Sequence, residues 1–470
     1  MAGFRREFHG CLTARADALF ELTDAVLCVD GPVVSLPELS LAGVHRRGHG
    51  AMYDALACGR VEVGRLRRAL AGLVLPRAGN GGLRIAIDVT PWPRPDAECS
   101  PQRLHCHRYC RCDGVRQTIP GWPYSVAAAL GSGRSSWVAP LDVRRIGPDD
   151  DVTDVTAAQV RGLVARLREA GQLREGDPPV LIVLDSGYDV VRLTWLLADL
   201  PVHVLGRIRS DRVMRTPPPP RRRDGRPGRP PRHGGKVRLA DPDTWPAPER
   251  ESTGPHARYG GVRVRAFGRL HPQLERRGTW ADHPGPLPVV EATVILVQVE
   301  RLAHPGAPKP LWLWSSHPVG DTAGLDGLWR AYLRRFDVEH TFRFLKQTLG
   351  LTRPRLRTPE QADRWAWLLI AAYTQLRLAR HLVHDLRRPW DKPLSPDGMT
   401  PGRVRRGFRR IRRAIGNPAS APKPGRPGPG RPKGSLSTPA PRHPVGKKQP
   451  KPETIRRNQY KKAHKAKATG

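Results

Sequence analysis

Apolar positions fall into distinct regimes along the chain. Over residues 12–27 and 50–75 they recur at mixed spacings of three and four, which predicts helices with one buried face. No helix-turn-helix signature is clear there, so this N-terminal region, 1–80, is open to DNA binding, a subunit contact or simple packing. From residue 83 the runs shorten and change period. Leu83-Arg-Ile-Ala-Ile-Asp88-Val reads as a buried strand with Asp88 at or near its C-terminal end. Thr90-Pro91-Trp92-Pro93 is expected to stop it. Residues 103–119 read as an antiparallel hairpin, continued by 122–131 and 136–142. Helical period returns over 156–171, and Asp149, Asp150 and Asp151 just ahead suit a helix start, where acids are favoured.

Val180-Leu-Ile-Val-Leu184 is apolar throughout, as in a strand buried on both faces. Asp185 follows, and Gly187 breaks the run. Residues 189–200 read as a helix and 202–208 as the next strand, so strand, helix and strand form a parallel crossover. In open α/β sheets the functional edge lies at the C-terminal ends of the strands, where Asp185 falls. Residues 210–238 are basic and Pro-rich, semi-rigid and unable to join a sheet. The segment 210–320 then reads as a β-rich insertion, with strands near 262–267, 289–302 and 310–315. Helices return over 332–346 and 359–383, and order is expected to decay beyond Pro389.

Composition changes the picture in one direction. The 470 residues are too many for one ordinary core, and two or three folded units are expected. Formal charge is +37, which asks for a polyanionic partner, with nucleic acid the default. Residues 401–470 hold twenty-one Lys and Arg against the single acid Glu453. That segment, part of a tail over 389–470, is expected to be largely disordered, being too polar to fold alone. Seven Cys without a signal-peptide pattern point to a reducing compartment. No apolar run reaches membrane-spanning length, so no membrane role is expected.

Two motifs invite specific ligands. His105-Cys106-His107-Arg-Tyr-Cys110-Arg-Cys112, with Cys99 nearby, holds zinc-ligand types. They crowd one stretch without the two separated pairs of a structural zinc site, and a hairpin strand explains them as well. In the tail, Pro424-Gly-Arg426-Pro-Gly-Pro-Gly-Arg431-Pro-Lys433 resembles an AT-hook, a slim basic core suited to a narrow minor groove. A basic linker without groove preference is the alternative.

The stretch from Tyr332 to Lys346 carries the strongest chemistry. Tyr332, Arg335, Glu339 and Lys346 are spaced three, four and seven, so one helix could present all four on one side. Leu333, Phe336, Phe344 and Leu345 would occupy the other and dock on a sheet. A carboxylate, two cations and a phenol suit a divalent metal and phosphate oxygens, although a solvated stripe of i,i+4 pairs is the ordinary reading. Asp88 and Asp185 alter that balance. If their strands are neighbours, the ends lie about 5 Å apart, and Glu339 could add a third carboxylate. Oxygen ligands of this kind suit Mg²⁺, and paired metals suit phosphodiester chemistry.

Together, Ile85-Ala-Ile-Asp88-Val-Thr90, Val183-Leu-Asp185-Ser-Gly-Tyr188 with Arg207-Ile-Arg209, and the Tyr-x2-Arg-x3-Glu-x6-Lys series resemble DDE-type insertion-sequence transposases over roughly residues 80–385. The resemblance implies an α/β fold with an RNase H-like mixed sheet flanked by helices, the catalytic domain falling in two parts, 81–209 and 321–388. It implies Asp88, Asp185 and Glu339 as a triad holding two Mg²⁺ ions, with Mn²⁺ a substitute. Tyr332, Arg335 and Lys346 would hold phosphates of double-stranded DNA, and Trp312 or Trp314 would be the counterpart of a tryptophan that holds a flipped base. Cleavage at element ends, strand transfer into target DNA, a homodimer on DNA and a bacterial cytoplasmic, nucleoid-associated setting would follow. A nuclease without strand transfer, or an inactive DNA-binding descendant, would share the same acids.

Overall fold

The computed structural model describes the chain apart from residues 110–115, 132, 134, 221–230, 303–305, 424–429, 431, 437 and 447–470. Two compact units emerge. The first takes 1–151, 162–177 and 336–446, and the second takes 152–161 and 178–335. The chain runs α1 (Ala2–Gly10), β1 (Leu12–Ala14), α2 (Ala16–Cys28), α3 (Leu36–Ser40), α4 (His49–Cys58), β2 (Arg60–Val61), α5 (Val63–Ala71), β3 (Arg84–Pro93), β4 (Leu104–Tyr109), β5 (Arg116–Leu130), β6 (Val138–Arg145) and α6 (Val152–Glu169). There follow β7 (Val180–Leu184), α7 (Val190–Leu196), β8 (Val202–Ile208), β9 (Val213–Arg215), β10 (Lys236–Arg238), β11 (Arg250–His256), β12 (Gly260–Leu270), β13 (Ala292–Val299), β14 (Leu311–Ser315) and α8 (Thr322–Arg334). The last helices are α9 (Phe336–Gln347), α10 (Pro359–Ala379) and α11 (Pro401–Ile411). The class is mixed α/β, as expected.

In the first unit β3 pairs antiparallel with the long β5, placing Asp88 opposite Val126. The two halves of β5 pair with β4 and β6. Strand β3 does not stop at Thr90. It continues through Pro91 to Pro93, opposite Pro123 and Gly121. Asp88 is therefore mid-strand, not terminal. The prolines are tolerated because buried Trp92 packs edge-on against Trp122, ring centroids 5.9 Å apart, and holds the strand where ladder bonds are lost. The N-terminal helices belong to this same unit. Helix α2 is buried along nearly its whole length and packs on α4, α10 and α11.

The basic C-terminal segment is not wholly unstructured. Helix α11 buries Val404 and Phe408, and Ile415 continues the apolar series at spacings of four and seven. Such a stripe is too short for an independent core, but it suffices to dock on one already formed. Arg426 and Arg431 of the hook-like motif lie outside the described residues.

The second unit holds a mixed sheet in the order β11-β12-β13-β14-β8-β7. Strands β7 and β8 are parallel, joined through α7 as the crossover pattern predicts, and β7 is buried throughout. Strand β14 pairs antiparallel with β8. The expected insertion thus contributes β11–β14 to the same sheet as β7 and β8. The Pro-rich segment 210–238, expected to stay out of any sheet, does pair at its two ends as the short antiparallel β9 and β10, neither of which contains a proline. Gly206 of β8 faces Val190 of α7 so closely that a Cβ there would collide with it.

At the start of β8, His203 is half-buried beside His317, ring centroids 4.7 Å apart, and its Nε2 lies 2.7 Å from the Ser315 hydroxyl. Burial, then the neighbouring His317, pushes its pKa from 6.5 to about 3. Between those values the unfolded chain binds a proton that the folded one refuses, so stability falls as pH drops through that window. The expected loss is on the order of 3 kcal/mol between pH 6.5 and 4. Urea midpoints across that range should fall less steeply for His203→Gln than for the parent, and equal slopes would remove His203 as the cause.

Candidate functional site

In the second unit, Asp185 is the first residue past β7, and its side chain is 36% exposed. Two residues from the far end of the unit converge on it. The Tyr332 hydroxyl donates to Asp185 Oδ1 at 3.2 Å across 147 residues of sequence. The Arg335 guanidinium lies 3.6 Å from Asp185 Oδ2 and 5.9 Å from the Tyr332 ring centroid. Tyr332 and Arg335 are each only 3% exposed. Burial and the Asp185 charge push the Tyr332 phenol well above its ordinary pKa, while Arg335 and Arg207 pull the other way. The phenol is thus a neutral donor, which suits it to hold a carboxylate.

The series from Tyr332 to Lys346 is not one helix. Helix α8 ends at Arg334 and α9 begins at Phe336. At Arg335 the ladder tightens, its N–H reaching the Tyr332 carbonyl at 3.1 Å, a short-range bond common at helix ends. The expected apolar side is also reversed in part. Phe336 is exposed, whereas Tyr332, Arg335, Val338 and Leu345 are buried. Tyr332 and Arg335 face inward because Asp185 gives them a polar partner there.

In the first unit, α9 lies against β3 and β6. Asp88 is half-buried, and its Oδ1 accepts the Val89 N–H at 2.8 Å. Glu339 is exposed on the first turn of α9. Lys346, on the last turn, is brought near Asp88 and Cys106. Burial pushes its pKa down to about 8, opposed by Cys106 and Asp88. Burial pushes the Cys106 thiol up to about 11, so it stays protonated at neutral pH. Cys106 points inward and its strand neighbour His105 outward, as alternation along β4 requires. Among the described residues no three His, Cys, Asp or Glu side chains gather to hold a metal ion. The zinc reading therefore has no support there; Cys110 and Cys112 lie outside the described residues.

The donor chemistry of Asp88, Asp185 and Glu339 nevertheless fits a hard divalent cation: all are carboxylates, and each is at least partly open to solvent. Arg207, exposed on β8, is among the charges acting on Tyr332, while exposed Arg209 pairs with Asp211. Trp312 and Trp314 are buried. Trp312 packs edge-on against Trp245 at 5.2 Å, and Trp314 Nε1 donates to the Thr194 hydroxyl at 2.9 Å. Neither offers a ring face to an extruded base, because each sheet face is covered where they lie, Trp312 by Trp245 and Trp314 by α7, leaving 2% and 0% exposed.

Sequence reasoning missed a polar cluster in the first unit. Tyr124 donates to Asp363 Oδ1 at 2.8 Å, and Arg145 donates to the same atom at 3.0 Å. Burial raises the Asp363 pKa. The cluster lines a cavity of about 460 Å³ with Arg60, Arg144 and Arg364. No spacing could have found it, since its members come from β5, β6 and α10.

The chain matches the family model described as DDE superfamily endonuclease over residues 7–269, more than half its length. It belongs to that family, and so to a class of enzymes that cut DNA. The match includes Asp88 and Asp185 and ends before Glu339. No curated protein matches the chain. Among the described residues, no helix is long and apolar enough to cross a membrane.

Proposed function

We propose that this endonuclease is a DDE-type insertion-sequence transposase with an RNase H-like core, cleaving DNA at element ends and joining them to target DNA. The observation that carries the reading is the convergence of Tyr332 and Arg335, two members of the Tyr-x2-Arg-x3-Glu-x6-Lys series, on Asp185. A solvated helix stripe would leave both side chains in water. Asp88, Asp185 and Glu339 would hold the divalent metal, two Mg²⁺ ions with Mn²⁺ as substitute; joining the three into one set rests on the family resemblance. When bound, the metal would supply charge stabilisation at phosphate oxygens.

The remaining work falls to the chain's own groups. Tyr332 and Arg335 fix the Asp185 carboxylate in one orientation and place a positive charge beside it. Lys346 and Arg207 would hold phosphates of the duplex, Lys346 as an ammonium below pH 8. Water adds to the scissile phosphorus and the 3′ oxygen leaves, taking up a proton as the water loses one; the freed 3′-OH then loses its proton as it adds to a target phosphorus and displaces the target's own 3′ oxygen, which takes up a proton. No covalent protein–DNA bond forms. Handling two ends implies a homodimer on DNA, in a bacterial cytoplasmic, nucleoid-associated setting.

The test is a labelled duplex carrying one element end, with Mg²⁺ and an EDTA control. Glu339→Gln is expected to lower end cleavage about a thousandfold, equivalent to about 4 kcal/mol of barrier. Cleavage at the parental rate would exclude Glu339 from the site. Precleaved ends separate the transposase from a plain endonuclease: absence of joining, with cleavage intact, would favour the latter.

A further inference from the structure

Helix α11 carries a surface that the cleavage reading does not use. Its inner side is fixed. Arg405 donates to the carbonyls of Val26 at 2.9 Å and Gly31 at 2.6 Å, and a Cβ at Gly407 would collide with Val383. Just past the helix, Arg412 pairs with buried Asp24 at 2.8 Å. These contacts set the rotation of the helix about its axis. The outer side then presents Arg406, Arg409 and Arg410 at spacings that share one face, and the turn that follows adds Arg413, all four exposed.

The stripe is under-neutralised. Arg406 meets Asp391 at 3.1 Å, and Arg409 is 4.0 Å from the fully solvated Asp30. Among the described residues, Arg410 and Arg413 meet no acid within ion-pair range. Asp391 also ties the stripe to a neighbouring loop, where Trp390 is 75% exposed and the Arg388 guanidinium lies 5.7 Å from its ring centroid. A tryptophan left so far in water contributes little to the core.

We propose that this face is a contact for the backbone of double-stranded DNA, separate from the acids of the cleavage site. The identity of the polyanion rests on the reading above. From Arg406 to Arg410 the stripe spans about 6 Å along the helix, with Arg413 in the turn beyond, and duplex DNA carries about one charge per 1.7 Å of axis. Every arginine thus finds phosphate within reach. Arginine forks suit phosphate oxygens, and contacts of this kind position a protein without reading sequence.

The test uses the full-length chain and a labelled duplex of arbitrary sequence, with affinity measured against salt concentration. Arg410→Gln/Arg413→Gln is compared with Arg168→Gln/Arg174→Gln, which removes two exposed arginines elsewhere on the same unit. The first pair should flatten the slope of log affinity against log salt by about two, one per lost phosphate contact, and weaken binding equally for all sequences. The second pair should match the parent. Equal slopes in all three proteins, or equal loss in both variants, would overturn the proposal. Metal-dependent cleavage by the parent reports separately on the cleavage reading: cleavage with unchanged slopes removes only this surface, and a selective loss of slope without any cleavage removes only the cleavage assignment.

Discussion

Asp185→Asn is expected to lose metal-dependent nicking while keeping its grip on DNA. The substitution preserves size and the Oδ1 acceptor for the Tyr332 hydroxyl, now 3.2 Å away. It removes the charge that faces Arg335 and weakens the oxygen donors a divalent cation requires. Cleavage should fall by a factor of about a thousand or more, or about 4 kcal/mol of barrier. The folding cost should be smaller, about 1–2 kcal/mol, because Asp185 is over a third exposed and water screens its pairing with Arg335. Single-turnover nicking and filter binding on the same duplex separate the two effects. Nicking at the parental rate would remove Asp185 from the catalytic set, and lost binding would make it a folding residue.

The largest effect on stability is expected at Asp24→Ala. Asp24 and Arg5 are fully buried. The guanidinium of Arg5 grips both carboxylate oxygens, at 2.7 and 2.9 Å, and also donates to Gln375 Oε1 at 2.6 Å and the Gly416 carbonyl at 2.9 Å. Removing the acid strands a buried cation, a loss of about 3–5 kcal/mol. Arg412 also loses its partner but lies near enough to solvent to turn outward. Replacing both members, as Arg5→Met/Asp24→Leu, should recover much of that loss, since a packed apolar pair avoids the desolvation cost. Urea denaturation of the parent and the two variants checks this. A double variant no more stable than Asp24→Ala would mean that Arg5 acts mainly through Gln375 and Gly416.

That network holds part of the basic C-terminal segment in place. Its composition is that of a chain that cannot fold by itself, and this holds for it in isolation. Composition carries no record of Asp24, nearly four hundred positions upstream, whose buried carboxylate gives Arg412 a partner. The helical period of Val404 and Phe408 was legible, but its docking surface on α2 and α10 was not. The same limit applies to the signature stretch. Spacing placed Tyr332, Arg335, Glu339 and Lys346 at helical intervals, yet intervals alone do not reveal that the ladder breaks at Arg335 or that Tyr332 and Arg335 turn inward while Glu339 stays exposed.

The sequence by itself determined the mixed α/β class, the β7–α7–β8 crossover and the position of Asp185 just past a buried strand. Five consecutive apolar residues, a glycine and a change of period are local signals, and local signals survive without tertiary context. Only the tertiary structure decided that β3 runs on through its prolines, because the packing of Trp92 on Trp122 compensates for missing ladder bonds. It likewise decided that Trp312 and Trp314 are core residues, since Trp245 covers one on its face of the sheet and α7 covers the other. It gave Tyr332 and Arg335 their shared partner as well: a contact across 147 residues depends on how the sheet is assembled, and no spacing along the chain encodes it.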